Sequence, residues 1–219
     1  GVRDRRALMP WRLLLLAGWI CAFVGYHGPW VDHTAAGLIL TGVDMAEFVK
    51  FLPQVMGGTL IVLRQLFYLP ILATVVSIAL LVGAQRLNYP WLVRIALLGL
   101  AFLFSLQFLP PAWSPASLVT AEFRLQAVAM FACWFVLAGF WLWGEMPLRL
   151  TGLLSAGLSL LAVVLPGWQY FAVKPFINSV YGTPPPVGWG LWLCLAGLGV
   201  VAAASALLVL QRYRAATRF

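Results

Sequence analysis

Charged residues are scarce in this 219-residue chain, since Asp, Glu, Lys and Arg together make up 9% of it. A soluble domain carries about 25% charged residues, so this chain has too few to cover a surface that faces water. Hydrophobic residues make up 63%, and the mean hydropathy is +0.96. The composition therefore predicts an integral membrane protein and leaves no room for a separate soluble domain.

Residues that carry chemistry are also few. The two histidines, His27 and His33, lie outside the apolar runs, and no aspartate falls within a run. This excludes a transmembrane bis-histidine haem and an intramembrane aspartate pair. The three cysteines lie within apolar runs and predict small buried hydrophobes, and no Walker or dinucleotide motif occurs. We expect no catalytic residue, no metal ligand and no cofactor site, and therefore a protein that is not an enzyme.

Six apolar runs follow one another, each close to the ~20 residues that a helix needs to cross a bilayer. Pro10 suits the first position of the first helix, Pro70 predicts a kink in the second, and Pro166 predicts the end of the fifth. The sequence predicts an all-α integral membrane protein, with 1–219 as a single six-helix transmembrane domain. The predicted spans are about 10–26, 60–81, 90–109, 124–143, 148–165 and 190–210.

Basic residues indicate how these spans are oriented. Ten lie on the side of the two termini and four on the other side. Because cytoplasmic loops collect Lys and Arg, we expect both termini in the cytoplasm and a plasma (inner) membrane of bacterial type. No basic stripe is present, so the +8 charge does not indicate nucleic-acid binding. The ten are Arg3, Arg5, Arg6, Arg12, Arg86, Arg94, Arg149, Arg212, Arg214 and Arg218, and the four are Lys50, Arg64, Arg124 and Lys174.

The positions of the tryptophans agree with the predicted spans, because indole rings prefer the headgroup level of a bilayer. They gather near both predicted interfaces and form an aromatic belt, whereas Trp19 falls deeper and is expected to pack in the core. The inner group is Trp11, Trp91, Trp141 and Trp143, and the outer group is Trp30, Trp113, Trp168 and Trp189.

The long first outer loop predicts short amphipathic helices at the interface over 34–52. Thr34 is a candidate cap and Gly42 a candidate end for the first of them, and Asp44 marks the start of the second. This segment is either a packed cap over the bundle or a lid or docking surface. The residues expected to dock a partner are Met45, Phe48, Val49 and Leu52 on one helix face, together with Trp189.

Four polar side chains near the outer helix ends form a second candidate site. Arg64 and Arg124 each lie about one turn inside the outer edge, from where a long side chain reaches the headgroups. Gln65 and Gln126 lie at a similar depth. Together they are expected either to bind an anionic group or lipid headgroup, or to serve as interfacial anchors and interhelical hydrogen bonds.

Three functional interpretations follow. The first is a non-catalytic subunit of a larger membrane complex for transport or electron transfer, with other membrane subunits and lipid as partners. Small-residue faces at Gly152-xxx-Ala156 and Gly199-xxx-Ala203 would pack its helices or those of a partner. The alternative is a transport component that binds a small apolar or weakly anionic ligand under the lid over 34–52. The third is an enzyme acting on lipid through Asp32, His33 or Glu122.

The interpretation as a ligand-binding transport component is supported by a resemblance in architecture. Six helices with both ends inside and a long first outer loop are similar to the substrate-binding components of energy-coupling-factor vitamin transporters. The resemblance implies a small hydrophobic ligand held near the outer face. Permeases of ATP-driven exporters also often have six spans, but the inner loops of this chain are too short to form a helix that engages an ATPase.

Overall fold

The computed structural model describes residues 2–84, 87–110 and 112–216, with side chains described for 9–84, 87–110 and 112–211. Of the basic residues that set the orientation, Arg86 and Arg218 lie outside the described residues, as do the side chains of Arg3, Arg5, Arg6, Arg212 and Arg214. The elements are α1 (Val2–His27), β1 (Pro29–Val31), β2 (Leu40–Thr41), α2 (Gly42–Phe48), α3 (Pro53–Met56), α4 (Leu69–Val82), α5 (Trp91–Ser105), α6 (Pro115–Leu118), α7 (Arg124–Ala138), α8 (Phe140–Gly144), α9 (Leu148–Tyr181) and α10 (Trp189–Ala216).

The all-α prediction is confirmed, and the apolar helices indicate a membrane protein. Within the described residues, five helical segments are long and apolar enough to cross a membrane. A 3₁₀ turn leads into α4 and another follows α5, so each of these helices gains length from the turn beside it. The five segments are Met9–His27, Arg64–Val82, Trp91–Phe108, Leu148–Tyr181 and Trp189–Gln211.

The fourth predicted span, 124–143, is not one continuous helix. α7 ends at Ala138, and α8 begins after Gly139. The indole of Trp143 folds back and donates to the carbonyl oxygen of Val136 at 2.7 Å, satisfying a backbone acceptor near the end of α7. The 15 residues of α7 rise only about 22 Å, which is shorter than the ~30 Å hydrocarbon core of a bilayer.

The fifth predicted span does not end at Pro166. α9 continues for 34 residues with Pro166 and Pro175 inside it, and it ends before Gly182, whose φ is +71°. At 1.5 Å per residue α9 is about 51 Å long, much longer than one bilayer crossing. Proline is tolerated inside apolar helices because neighbouring helices and local adjustments compensate for the lost hydrogen bond.

The other two proline predictions are also wrong. Pro10 lies inside α1, which begins at Val2, and so it does not mark the first helical position. Pro70 lies in the first turn of α4, directly after the 3₁₀ turn Arg64–Tyr68, so it begins the α-helix and does not kink it. Proline in the first turn loses no helical hydrogen bond.

α4 is the central helix of the bundle. In an apolar stretch of 18 residues taken from each candidate span, 72% of the residues are buried for Arg64–Val82, compared with 28% to 39% for the other four. α4 packs against α1, α5, α7, α8 and α9, whereas the other helices turn one apolar face outward. A helix that is apolar on all sides belongs in the interior, because each of its faces then meets another helix.

α1 and α10 approach each other through glycines. A Cβ atom at Gly197 would lie 2.6 Å from the backbone oxygen of Gly18, and one at Gly18 would lie 2.9 Å from the backbone oxygen of Gly197. At Gly152, on the small-residue face of α9, a Cβ would meet Val209 of α10 at 2.7 Å. Gly199, which the sequence also marks for packing, has nothing within 4 Å. The close contact of α10 with α1 therefore depends on several glycines, among them Gly18, Gly25 and Gly197.

Residues 28–63, termed the cap here, connect α1 to the start of the second apolar segment. The helix expected from Thr34 to Gly42 is not formed, because β1 and β2 pair as an antiparallel ribbon around a short 3₁₀ turn. Gly42 begins α2 and does not end a helix, and its Cβ would meet the Trp30 ring at 2.8 Å. Thr41 is the N-cap of α2 and shares a capping box with Asp44, so Asp44 lies at the third helical position.

Trp30 lies at the centre of the cap and not in an interfacial belt. Its side chain is fully buried, and its indole donates to the backbone oxygen of Gly25 at 3.1 Å. The rings of Tyr26, Phe67 and Tyr170 surround it with centroids 6.0 to 6.2 Å away, and all three cross it edge-on. The Tyr170 hydroxyl also donates to the Trp30 backbone oxygen at 2.7 Å, which joins α9 to the cap.

Candidate functional site

Four charged side chains, termed the clamp here, connect the cap to the bundle. Lys50 Nζ lies 2.6 Å from Glu47 Oε2 and 2.6 Å from Glu122 Oε1. The Arg64 guanidinium donates to Glu47 Oε1 at 2.8 Å and to the Glu122 backbone oxygen at 2.6 Å. Two positive and two negative side chains therefore meet, and their formal charges cancel.

An aromatic ring and partial burial strengthen this network. The Phe123 ring centroid lies 5.4 Å from Lys50 Nζ and 5.4 Å from the Arg64 guanidinium, within the range of cation–π attraction. The Arg64 side chain is 10% exposed and the Glu47 side chain 20%, whereas Glu122 is 49% exposed. Since exposed pairs are weak and buried ones are costly to break, the Arg64–Glu47 pair contributes most to the clamp.

The clamp shifts the pKa values of its exposed members. A hydrogen bond from Lys50 holds the pKa of Glu122 below its ordinary 4.5. Burial lowers the pKa of Lys50, but hydrogen bonds to Glu122 and Glu47 outweigh burial and raise it above 10.5. A lowered carboxyl pKa stabilises the fold above the unfolded value, and a raised ammonium pKa stabilises it below the unfolded value. The stabilisation from the Lys50–Glu122 pair is therefore fully present between about pH 4.5 and pH 10.5.

A groove of about 200 Å³ lies beside the clamp, between the start of the second apolar segment, Phe108 and α7. Its wall is mostly apolar, and Leu125 at its edge is 57% exposed, so the groove is open on that side. Gln65 and Gln126, the two glutamines of the predicted ligand site, both line this groove. The lining residues are Gln65, Tyr68, Leu69, Leu72, Phe108, Leu125, Gln126 and Ala129.

Gln126 is the unusual residue in this wall. It is only 3% exposed, and neither its amide nitrogen nor its amide oxygen makes a hydrogen bond with any described group. The Tyr68 hydroxyl is close enough to interact with the amide, but it donates weakly, at 3.4 Å, to Glu47 Oε1. A buried polar group without a partner costs roughly 1–3 kcal/mol, so this amide is a candidate for contact with a bound molecule.

The two arginines of the predicted anionic site have different surroundings. Arg64 is engaged by the clamp and has its charge met by Glu47. Arg124 is exposed and belongs neither to the clamp nor to the lining of the groove. The expected cluster of two arginines and two glutamines is therefore divided between the clamp, the groove and the surface.

The residues expected to dock a partner are mostly internal. Met45, Val49 and Leu52 are at most 1% exposed and pack into the chain's own core, so they are not available to a partner in this structure. Phe48 is half-buried against Tyr181, whereas Trp189 is 53% exposed. The predicted single helix face is not formed, because α2 ends at Phe48, Val49 begins a 3₁₀ turn and Leu52 follows that turn in extended backbone. The buried side chains nevertheless all pack on the bundle.

The residues of the enzymatic interpretation are also divided. Asp32 and His33 line an open cleft of about 350 Å³, where His33 Nδ1 accepts from the Ala35 backbone amide at 3.0 Å. Glu122 belongs to the clamp instead. Among the residues that the structure describes, no group of three or more His, Cys, Asp or Glu side chains could hold a metal ion. The rest of the cleft is formed by Thr34, Thr183, Pro184, Pro185 and Pro186.

The sequence did not reveal the clamp, although one signal pointed to it. The chain has only six acidic residues, and Glu47 and Glu122 lie in two outer connections whose basic residues include Lys50 and Arg64. Scarce acids in an apolar protein usually have partners, because an unpaired charge is costly there.

No family model, no curated protein and no solved structure matches this chain.

Proposed function

We propose that this chain is a non-catalytic transport component that binds one amphipathic molecule from the bilayer in the groove beside α4 and α7. The observation that carries the proposal is the Gln126 amide, which is buried in a mostly apolar wall and has no hydrogen bond of good geometry. Ligand sites are typically apolar enclosures with a few polar groups that fix orientation. The groove has this composition, and a bound molecule would supply the missing hydrogen bonds of Gln126.

The cap supplies none of the described residues that line this proposed site, but it contacts the groove wall through Tyr68. Tyr68 lines the groove, and its hydroxyl contacts Glu47 of α2 at 3.4 Å. Glu47 also pairs with Arg64, so movement of α2 would change the clamp and the groove wall together. A transport component needs such a connection, because the ligand must enter or leave when the cap changes position.

The positions of the predicted site residues favour ligand binding over partner docking. Both glutamines of the candidate ligand site line the groove. In contrast, three of the five candidate docking residues are buried in the chain itself. The apolar side chains of Met45, Val49 and Leu52 therefore close the bundle and do not face a partner.

Native mass spectrometry of the protein, purified from its own membrane in mild detergent, tests this proposal. The expected result is one co-purified molecule per chain. Ala129→Trp should remove it, because the indole would fill the groove at a position that lines it. The matched control is Ala132→Trp on the same helix, where the residue is exposed and lies outside the lining.

The control variant should keep the bound molecule at wild-type occupancy. Identical spectra for wild type, Ala129→Trp and Ala132→Trp would contradict a ligand in the groove. Loss of the molecule from both variants would also count against it, because the effect would then not be specific to this site.

A second candidate function is that of a non-catalytic subunit in a larger membrane assembly. Four aromatic side chains near the junction of α9 and α10 favour it: Trp168 is 65% exposed, Phe171 46%, Trp189 53% and Trp192 54%. The Phe171 and Trp192 rings are 5.9 Å apart, so they form one surface. Aromatic residues are enriched at protein interfaces.

A photocrosslinking amino acid at position 192 should capture a membrane partner in cells, whereas one at exposed Leu153 should not.

A further inference from the structure

We infer that the groove selects neutral amphiphiles, molecules whose polar group is an uncharged hydroxyl or ester carbonyl, over anionic lipids. This inference rests on the proposed function and names the chemical class of its ligand. It replaces the expectation of a weakly anionic ligand that Arg64 and Arg124 had raised.

The lining of the groove provides the first argument. Among the described residues, none that lines it carries a charge. Moving an ionised group from water into such surroundings is costly unless an opposite charge meets it there. An anionic headgroup inside the groove would therefore lose its hydration without gaining a partner.

The cations of the clamp provide the second argument. Arg64 directly precedes Gln65 in the wall, but Glu47 and the Glu122 backbone oxygen already accept from its guanidinium at 2.8 and 2.6 Å. Lys50 is held at 2.6 Å by each of the two glutamates. An anionic ligand that used these cations would have to displace a carboxylate, whereas a neutral ligand leaves the clamp intact. Arg124 precedes Leu125 of the lining, but it is exposed and does not line the groove.

The Gln126 amide provides the third argument. An amide offers two N–H donors and an acceptor oxygen, and in Gln126 both kinds of atom are buried without a partner. A hydroxyl beside an ester carbonyl matches this pair, because the hydroxyl donates to the amide oxygen and the carbonyl accepts from the amide nitrogen. Diacylglycerol carries both groups without charge.

The size and opening of the groove identify the bilayer as the source of the ligand. Its volume of about 200 Å³ is below the roughly 300–1,000 Å³ of sites that enclose a drug-sized molecule. It therefore holds a polar group and the adjoining part of a chain. The rest of the molecule leaves past exposed Leu125 and lies among the lipids.

The test compares two probes with the same acyl chains, dioctanoylglycerol and dioctanoyl phosphatidic acid, titrated onto the full chain and followed by native mass spectrometry. We expect the neutral probe to bind at least tenfold more tightly. Gln126→Leu should weaken its binding about fivefold, the effect of one to two lost hydrogen bonds. Gln126→Leu should still fold, since replacing an unpaired buried amide with an apolar side chain of similar size does not remove a hydrogen bond.

The remaining outcomes separate the two proposals. Equal binding of both probes, lost in Ala129→Trp, would overturn the selectivity and leave the groove as a site. Tighter binding of phosphatidic acid that Arg124→Gln removes would also overturn it, because the exposed arginine would then anchor the headgroup. Binding of neither probe, with a co-purified molecule still lost from Ala129→Trp, would overturn the ligand class alone. Binding of neither probe, with no effect of Ala129→Trp on the co-purified molecule, would overturn both proposals.

Discussion

Arg64 and Gln126, which the sequence predicts at a similar depth, have different surroundings in the folded chain. Arg64 has its charge met by Glu47, and Gln126 keeps an unpaired amide in the groove wall. Their positions near outer helix ends were predictable, because each follows or precedes a long apolar run. Their partners were not, because the pairing joins residues 47, 64 and 122, which are distant in sequence and meet only in the folded chain.

Arg64→Ala tests the clamp at the scale of one residue. The substitution leaves Glu47 with Lys50 as its one charged partner in the clamp and leaves the Glu122 backbone oxygen without its Arg64 donor. We expect the free energy of unfolding to fall by about 1–3 kcal/mol, measured by denaturant titration in mild detergent. Arg124→Ala is the matched control and should change it by less than about 0.5 kcal/mol, because that side chain is exposed and outside the clamp. Equal losses in both variants would contradict the clamp.

At the scale of elements, apolar runs predicted where helices lie but not where they end. The runs identified each long helix because a helix that crosses apolar surroundings needs about 20 apolar residues. Their ends depended on neighbours instead. α9 passes through Pro166, the Trp143 indole folds over the end of α7, and Trp30 approaches Gly42 where the sequence indicated a helix end. Each is a tertiary contact that a pattern along one segment does not contain.

Gly197→Leu tests the contact between α1 and α10. The new Cβ would lie 2.6 Å from the backbone oxygen of Gly18, so the two helices must separate. Overpacking of this kind costs typically 1–3 kcal/mol, and we expect about 3 kcal/mol in denaturant titration because backbone cannot move aside as a side chain does. Gly199→Leu, two residues along on the same helix with nothing within 4 Å, should be close to neutral. A larger loss for Gly199→Leu than for Gly197→Leu would contradict this packing.

At the scale of the whole molecule, we propose a six-span arrangement in a bacterial inner membrane with both termini in the cytoplasm. Five of the spans correspond to helices of sufficient length and apolarity, and α7 with α8 would form the other. The excess of basic residues on one side supports the orientation. The cap, the clamp and the last turns of α9 would then lie on the outer face, where Tyr181 donates to the backbone oxygen of Leu38 at 2.7 Å.

Ser179→Cys tests that orientation. The residue is exposed near the end of α9, so a membrane-impermeant maleimide should label it in intact cells, after subtraction of labelling of the unsubstituted chain. The matched position is Met146, which is 37% exposed between α8 and α9 on the opposite side. Met146→Cys should be labelled only after permeabilisation. The reverse pattern would overturn the orientation.

The central claim is that the groove beside α4 and α7 holds a molecule from the membrane. An experimental structure of the chain in lipid nanodiscs, reconstituted in extracted native lipids, tests it most directly. The account predicts non-protein density in the groove, within hydrogen-bonding distance of the Gln126 amide and continuing past Leu125 into the bilayer. A groove filled by the chain's own side chains, with the Gln126 amide bonded to one of them, would contradict it.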